Sequence, residues 1–449
     1  MFAHAVCLLN VRAVADGGVA ETLRFSSRIL GLGDAPRAGD TVIDGAGAVV
    51  LPGLVNAHDH LELNHYGRLK CRDRYANAAQ WIDDLRPRLS DDPQIREGRA
   101  HPLGERLFIG ALKNLLAGVT TVAHHNPFYP ELRRTVPIRV VRRYGWAHSF
   151  QLEHLPAGAR GEPGGDIAAR SRATPVDAPF MLHLAEGIDD AASGELPRLE
   201  ALGCLKPNTV IVHGVAIDGG GWQRVARAGA GLVWCPASND FLFGRTAPVR
   251  ELLDLNGQAP AIALGTDSRV TGSRDLLDEL RVAREAESVT SSELFAMVTS
   301  NAAAMLHQPR VGRLSIGGLA DLVMLHPQGV GKGFFTRFSA ENRGSGTLGT
   351  CNPVSSGENG SQVVENSGNG SRPPVEILDA LLTATRRDVR LVVVDGRPLV
   401  ADPDLAPAFE ARRVVPRPIR VDETLKIADS GLTRRIAGCP IVEPGVSAA

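Results

Sequence analysis

Five residues of this chain could hold one metal ion between them: His58, His60, His183, His213 and Asp267. Imidazole nitrogens with a carboxylate oxygen form a borderline-hard donor set suited to a divalent cation such as zinc. Each stands where an apolar run gives out, in Val-Asn-Ala-His58-Asp-His60, Met-Leu-His183-Leu-Ala-Glu186, Val-Ile-Val-His213-Gly and Ala-Leu-Gly-Thr-Asp267-Ser. Residues two apart on a strand face the same way, so His58 and His60 can reach one ion from a strand's end. Glu186, three residues after His183, adds the carboxylate that metal-assisted proton transfer needs. Taken singly, each has an ordinary alternative. The His-x-His pair could be two surface histidines at a turn, His183 a hydrogen-bonded core histidine, and Asp267 the N-cap of a following helix. Four strand ends carrying metal-compatible groups together make coincidence a poor account.

What must bring such distant residues together is a set of strands ending on one rim, as in a β/α barrel. Apolar strand-like runs occur at 51–57, 119–123, 146–150, 180–184, 210–212, 232–235 and 261–264. Amphipathic helical patterns separate them, clearest at 105–117 (stopped by Gly118), 221–228, 249–255 and 273–286. Such alternation predicts a parallel sheet with crossover helices, a TIM-like (β/α)8 barrel over 51–310. Only seven strands are legible. The eighth is expected between Phe150 and Phe180, unless the barrel is irregular around its fourth strand. A helix over 292–306 ends the alternation. Residues 1–50 and 311–400 read as short strands and turns, and predict a small β-sandwich domain built from both terminal regions. Within it, 342–374 is rich in Gly, Ser and Asn and is read as a mobile insertion. The Pro- and Arg-rich stretch 403–449 is read as a solvated C-terminal extension.

Composition narrows the class. The chain has 449 residues with 49 Lys and Arg against 50 Asp and Glu, so no global charge draws it to nucleic acid or an anionic membrane. Its six cysteines form no Cys-x-x-Cys pair, which argues against a disulfide framework or a cysteine zinc site. The first fifteen residues hold too short an apolar run for a signal peptide, and no run approaches the ~20 residues of a membrane span. These features predict a cytoplasmic protein acting on a small molecule, with no nucleic-acid or membrane partner.

The chain resembles the metal-dependent amidohydrolase superfamily. The resemblance rests on Val42-Ile-Asp-Gly45, Pro52-Gly-Leu-Val-Asn-Ala-His58-Asp-His60, Gly118-Val-Thr-Thr-Val122, His183-Leu-Ala-Glu186, His213-Gly214, Cys235-Pro-Ala-Ser-Asn239, Gly265-Thr-Asp267-Ser268 and Gly317-Gly-Leu-Ala-Asp-Leu-Val323, in the family's order. It is most similar to the single-metal branch of cytosine, guanine and S-adenosylhomocysteine deaminases and triazine hydrolases. No barrel lysine is suitably placed, Lys113 falling inside a helix, which leaves no evident bridge for a two-metal site. The resemblance implies one divalent metal, zinc ahead of iron or manganese, held by His58, His60, His183 and Asp267. It implies Glu186 as proton shuttle and His213 as hydrogen-bond partner of the attacking water or substrate, with Asp267 also accepting the water's proton. The implied reaction is hydrolysis of a carbon–nitrogen bond other than a peptide bond, deaminating a heterocycle by a metal-bound hydroxide. The alternatives are opening of a cyclic amide or imidazolone, chlorohydrolase-type chemistry, or a non-catalytic scaffold on the same barrel. A homo-oligomer is also implied.

The family's fourth-strand motif is not legible here. Four residues stand as candidate substrate contacts: Trp81, similar to an aromatic lid residue; His125, ending the second strand; Glu62, in the first loop; and Arg269, which could instead pair with Asp275 or Asp278. Asp59 could orient a ligand imidazole or face the other side of its strand. Asn239 is read as a loop-stabilising residue.

Overall fold

A computed structural model describes residues 4–151, 166–255, 259–326 and 375–448. Eight short parallel strands carry the alternating part: β1 (Leu54–Asp59), β2 (Val119–His124), β3 (Arg139–Val140), β4 (Gly145–Ala147), β5 (Phe180–Leu184), β6 (Thr209–His213), β7 (Gly231–Trp234) and β8 (Ala261–Leu264). They form two ladders, β1-β2-β3 and β4 to β8, each in chain order. Every residue of β1, β2, β5, β6 and β7 is buried, which is why these strands read as uninterrupted apolar runs. Beyond β8 the chain meets β1 again: the N–H groups of Thr266 and Asp267 both donate to His58 O, at 3.0 and 3.1 Å.

Helices Leu103–Leu116, Ile167–Ala173, Glu195–Ala201, Gly219–Arg227, Pro236–Phe243 and Val249–Leu253 fill the connections. Leu103–Leu116 ends against Gly118 at φ 79°, a left-handed position where a Cβ would also meet Val323 at 2.7 Å. The helix expected over 292–306 is two, Ser291–Met297 and Ser300–Met305. At the break, Val298 O is taken by the N–H of Val55, one residue into β1.

The eighth strand does not come from the Phe150–Phe180 interval, whose described residues hold the helix Ile167–Ala173 and no strand. One run is split instead. Arg139–Val140 pairs with β2, four residues intervene, and Gly145–Ala147 then pairs with β5. Pieces two and three residues long, separated by Arg142 and Arg143, are too short to show a strand's periodicity.

The terminal regions meet in one sheet. Its nine strands run Val446–Ala448, Pro416–Val421, Thr424–Asp429, Arg397–Ala401, Val389–Val394, Leu322–Leu325, Val49–Pro52, Arg12–Ala15 and Gly18–Ala20. A second sheet of four strands holds Ile29–Leu32, Leu23–Phe25, Val6–Leu9 and Thr41–Asp44. Val6, Leu8, Phe25, Val50, Leu322 and Leu391 from the two sheets pack into one core. The stretch read as a mobile insertion, 342–374, lies outside the described residues. Among the described residues no helix is long and apolar enough to cross a membrane.

The tail from Pro403 is not a solvated extension. It supplies three strands of the nine-stranded sheet, and Ile419, Val421 and Ala428 are buried. Its charged residues mislead because they are paired: Lys426 with Asp402 at 2.5 Å, Arg435 with Glu105 at 2.7 Å. Glu443, 2% exposed, accepts both terminal nitrogens of Arg269 (2.8 and 2.5 Å) and lies 2.8 Å from Arg386, which in turn reaches Asp275 at 2.7 Å. These are four buried charges in alternating order, so removing Glu443 leaves Arg269 without a carboxylate and two guanidiniums with Asp275 alone to offset them in the interior. Glu443→Ala is expected to lower unfolding stability by about 3 kcal/mol or more, read as an earlier midpoint in urea.

Candidate metal centre

His58 and His60 leave the end of β1, His183 lies on β5, and Asp267 follows β8. One ring nitrogen from each of the three histidines lies within 4.8 Å of the other two, and all three residues are buried. Asp267 Oδ1 stands 3.8 Å from His58 Nε2 and 3.7 Å from His60 Nε2. The opposite ring nitrogens are spoken for. His183 Nδ1 donates to His148 O at 2.9 Å, and His58 Nδ1 lies 3.2 Å from His125 Nδ1. His58 Nε2 is buried and has no hydrogen-bond partner, while the Nε2 atoms of His60 and His183 are 3.3 Å apart. Burial and the neighbouring imidazoles push His58 and His183 well below the usual histidine range, so both are neutral. The neutral imidazoles of His58 and His183, with His60 beside them and the Asp267 carboxylate facing them, fit a divalent cation.

Asp267 caps no helix. That role belongs to Asp275, whose side chain accepts from the N–H groups of Leu277 and Asp278. Asp267 Oδ2 instead meets the hydroxyls of Ser238 and Thr271, both at 2.9 Å, and Oδ1 takes the Ser268 N–H at 2.7 Å. Its backbone is left-handed (φ 52°), as are Ala185 (φ 53°) and His213 (φ 74°), conformations unusual for residues other than glycine.

Glu186 and His213 form the adjoining pair, with Oε1 3.5 Å from Nε2. His213 Nδ1 donates to Asn239 Oδ1 at 2.8 Å, leaving Nε2 toward the glutamate. Asn239 is held in turn through its Nδ2 to Thr246 Oγ1 at 3.1 Å, so it orients an imidazole rather than merely bracing a loop. Burial raises Glu186 to about 7, with Asp267 adding repulsion and His213 opposing.

Beneath the histidines, Asp59 turns toward the helix Leu103–Leu116. Lys113 Nζ lies 3.0 Å from its Oδ2, both side chains fully buried, and Asn114 Nδ2 donates to the same oxygen at 2.7 Å. Asn64 Nδ2 reaches Oδ1 at 2.7 Å, while Asn56 joins Asn114 and Thr266 at 2.9 Å each. The lysine inside its helix is therefore an anchor for β1. Sequence reading assigns no role to Asn56, Asn64, Asn114 or Thr266, and weighs Lys113 only as a bridge between two metals. The signal was there in Lys113 and Asn114, adjacent polar residues in an otherwise apolar helical stretch.

Of the candidate substrate contacts, two are otherwise engaged. Arg269 is bound to Glu443 from the tail, as well as to Arg274 O and Asn64 O, and pairs with neither Asp275 nor Asp278. His125 has both ring nitrogens used, Nδ1 at His58 and Nε2 at Ala147 O. Glu62 is buried against Asn126, which also lies 3.4 Å from His60 Nδ1, and burial raises its carboxyl. Trp81 is partly buried among Tyr75, Ala78, Val215, Leu242 and Phe243, its indole N–H on Leu69 O at 2.9 Å. Its helix begins beside the site, where the Ala78 N–H donates to Glu186 O.

Comparison with known proteins matches residues 154–370 to the amidohydrolase family. Over those residues the chain is similar to an amidohydrolase family domain, and the comparisons support a hydrolase enzyme. It is 28% identical over 363 residues to a 5-methylthioadenosine/S-adenosylhomocysteine deaminase of Halobacterium salinarum, covering 70% of this chain and 80% of that protein. Among solved structures it is similar to the atrazine chlorohydrolase of Arthrobacter aurescens complexed with zinc (TM-score 0.63, 18% identity, 91% of this chain and 100% of that one). An adenosine deaminase of Xanthomonas campestris with bound zinc is similar too (TM-score 0.59, 17% identity, 91% and 97% covered). At such identities the structures speak for the fold alone, which is that of a TIM barrel.

Burial lowers Lys113, with Asp59 opposing, so this pair survives only as a pair. Lys113→Met is expected to cost about 3–5 kcal/mol in urea unfolding, and adding Asp59→Asn to recover a good part of it. Additive losses in that double-variant cycle would remove the proposed coupling.

Proposed function

We propose that this protein deaminates a heterocyclic small molecule by hydrolysis, with one divalent metal, zinc, held by His58, His60, His183 and Asp267. The observation that carries the reading is the convergence of three inward imidazole nitrogens and Asp267 Oδ1 beside the Glu186–His213 pair. A divalent cation supplies Lewis acidity there, bringing water's loss of a proton into the neutral range. Asp267, with Oδ2 fixed by two hydroxyls and Oδ1 steadied by the Ser268 N–H, turns Oδ1 toward the centre to take that proton. Glu186 carries a proton at its carboxylate to the departing nitrogen, which cannot leave as an anion. His213, its Nδ1 proton committed to Asn239, presents Nε2 to hold or share a proton with Glu186 and to steady charge at the reacting carbon.

Amine loss is favoured over ring opening or dehalogenation because the sequence relatives reported carry deaminase names, among them a 5'-deoxyadenosine deaminase of Methanobrevibacter smithii. Zinc is named with both solved structures described above. Trp81 and Glu62 are our proposed substrate contacts, one a half-buried aromatic face, the other a carboxyl beside His60. The scaffold we infer is a barrel over 51–310 with a β-sandwich formed by 1–50 and 311–400 together with the three strands of the tail, which the mixed core of the two terminal sheets supports.

Metal-loaded protein should release ammonia from a member of a panel of purines, pyrimidines, pterins and triazines, and chelation should abolish it. A ring-opened or dechlorinated product without ammonia would transfer the site to the other chemistries. Asp267→Asn is expected to leave the protein folded by circular dichroism yet inactive, and retained turnover contradicts its role. Glu186→Gln should retain metal while slowing turnover by ~10² or more. A donor must be protonated to act, and Glu186 sits at about 7 before a nearby cation draws it down. The rate should therefore fall as pH rises through about 7 or somewhat below, and that limb should vanish in Glu186→Gln.

A further inference from the structure

His125 belongs to no ligand set and reaches no solvent, yet its ring lies 4.9 Å from that of His58 and 4.2 Å from that of His183. Its place in the fold is specific. The backbone N–H donates to Asp59 O at 3.0 Å, tying it to the metal strand, and the ring spans to β4 across the gap between the two ladders.

The proton positions follow from chemistry. Ala147 O can only accept, so His125 Nε2, 2.7 Å away, carries a hydrogen. A neutral His125 then turns a lone pair at Nδ1 toward His58 Nδ1, 3.2 Å distant, and His58 must donate there. That leaves His58 Nε2 bare, buried and without any hydrogen-bond partner. The reverse arrangement fails twice. It needs a doubly protonated, fully buried His125, and it drives a proton onto His58 Nε2, where no acceptor is in range.

We propose that His125 is a positioning residue which fixes His58 in the tautomer whose Nε2 faces the metal centre. It acts through His58 and touches neither substrate nor metal. The acceptor is itself an imidazole anchored on a main-chain carbonyl, so the relay His58 Nδ1 to His125 to Ala147 O carries no net charge. The inference rests on the metal reading above, and its test needs no substrate.

Zinc affinity of the metal-free protein is measured by competition with a chromophoric chelator, with thermal unfolding of each metal-free variant alongside. His125→Asn keeps an amide oxygen near the Nδ1 position and gives up the reach to Ala147. His125→Gln reaches Ala147 and gives up the group facing His58, and His125→Phe loses both. Partners of ligating histidines are typically worth 10–100-fold in affinity, so His125→Gln and His125→Phe should bind zinc weaker by that factor, with His125→Asn near the native value. Metal-free stability should follow the other order, lower for His125→Asn than for His125→Gln, which a purely structural role would not separate from affinity. Native affinity in His125→Gln or His125→Phe, or equal weakening in the Asn and Gln variants, overturns the proposal. Should His125→Phe fail to fold, the Asn and Gln pair decides alone. A native protein indifferent to zinc would instead overturn the metal reading itself.

Discussion

The arrangement depends on imidazoles that must stay neutral and must each point one chosen nitrogen inward. A buried histidine has two nitrogens and one proton, so aiming a lone pair at the centre requires a fixed acceptor behind it. Three of the imidazoles have a different one each: His125 for His58, the His148 carbonyl for His183, and Asn239 for His213. Without those acceptors the same residues would make an apolar pocket with polar faults. With them the pocket is short of one thing only, positive charge.

Holding the donors steady falls to a second polar layer. Asp59, between two metal-facing histidines, turns away from them to Lys113, Asn114 and Asn64. Asn64 then accepts from the Arg269 backbone N–H, and the Arg269 side chain reaches Glu443 near the end of the chain. Metal strand, barrel helix, the loop after β8 and the C-terminal segment are thus joined through buried polar contacts. Such a network contributes less to net stability than to geometry, since each member is costly unless every other is in place. The positive φ at Asp267 follows Thr266, whose hydroxyl belongs to this network.

The chemistry-bearing residues were legible because buried parallel strands leave long apolar runs, against which a histidine at the end stands out. The side chains of His58, His60, His183 and Asp267 lie together. Partnerships were not legible. Arg269 was read against nearby Asp275 and Asp278, whereas Glu443 lies far along the chain, and sequence distance says nothing about pairings made by tertiary packing. The tail was misread for the same reason. Its arginines looked solvated because composition records charge, not the carboxylates that meet it. Asn239 looked like a turn residue, since an asparagine after Pro-Ala-Ser suits a loop as well as it suits an imidazole.

The split third run ties these threads together. A continuous strand between β2 and β5 would spend its carbonyls on ladder hydrogen bonds. Here β3 stops after two residues and β4 begins four residues later with a different neighbour. Two consecutive carbonyls at its end, Ala147 and His148, are the ones that accept the ring N–H groups of His125 and His183. The interruption that hides a strand from sequence reading leaves Ala147 O to the His125 ring, whereas His148 O takes the backbone N–H of His183 as well as its ring. A backbone group left unpaired in the interior must find a partner, and for Ala147 O at this seam the partner is an imidazole. A regular strand here would draw Ala147 O into the ladder and away from His125, so the irregularity belongs to the site.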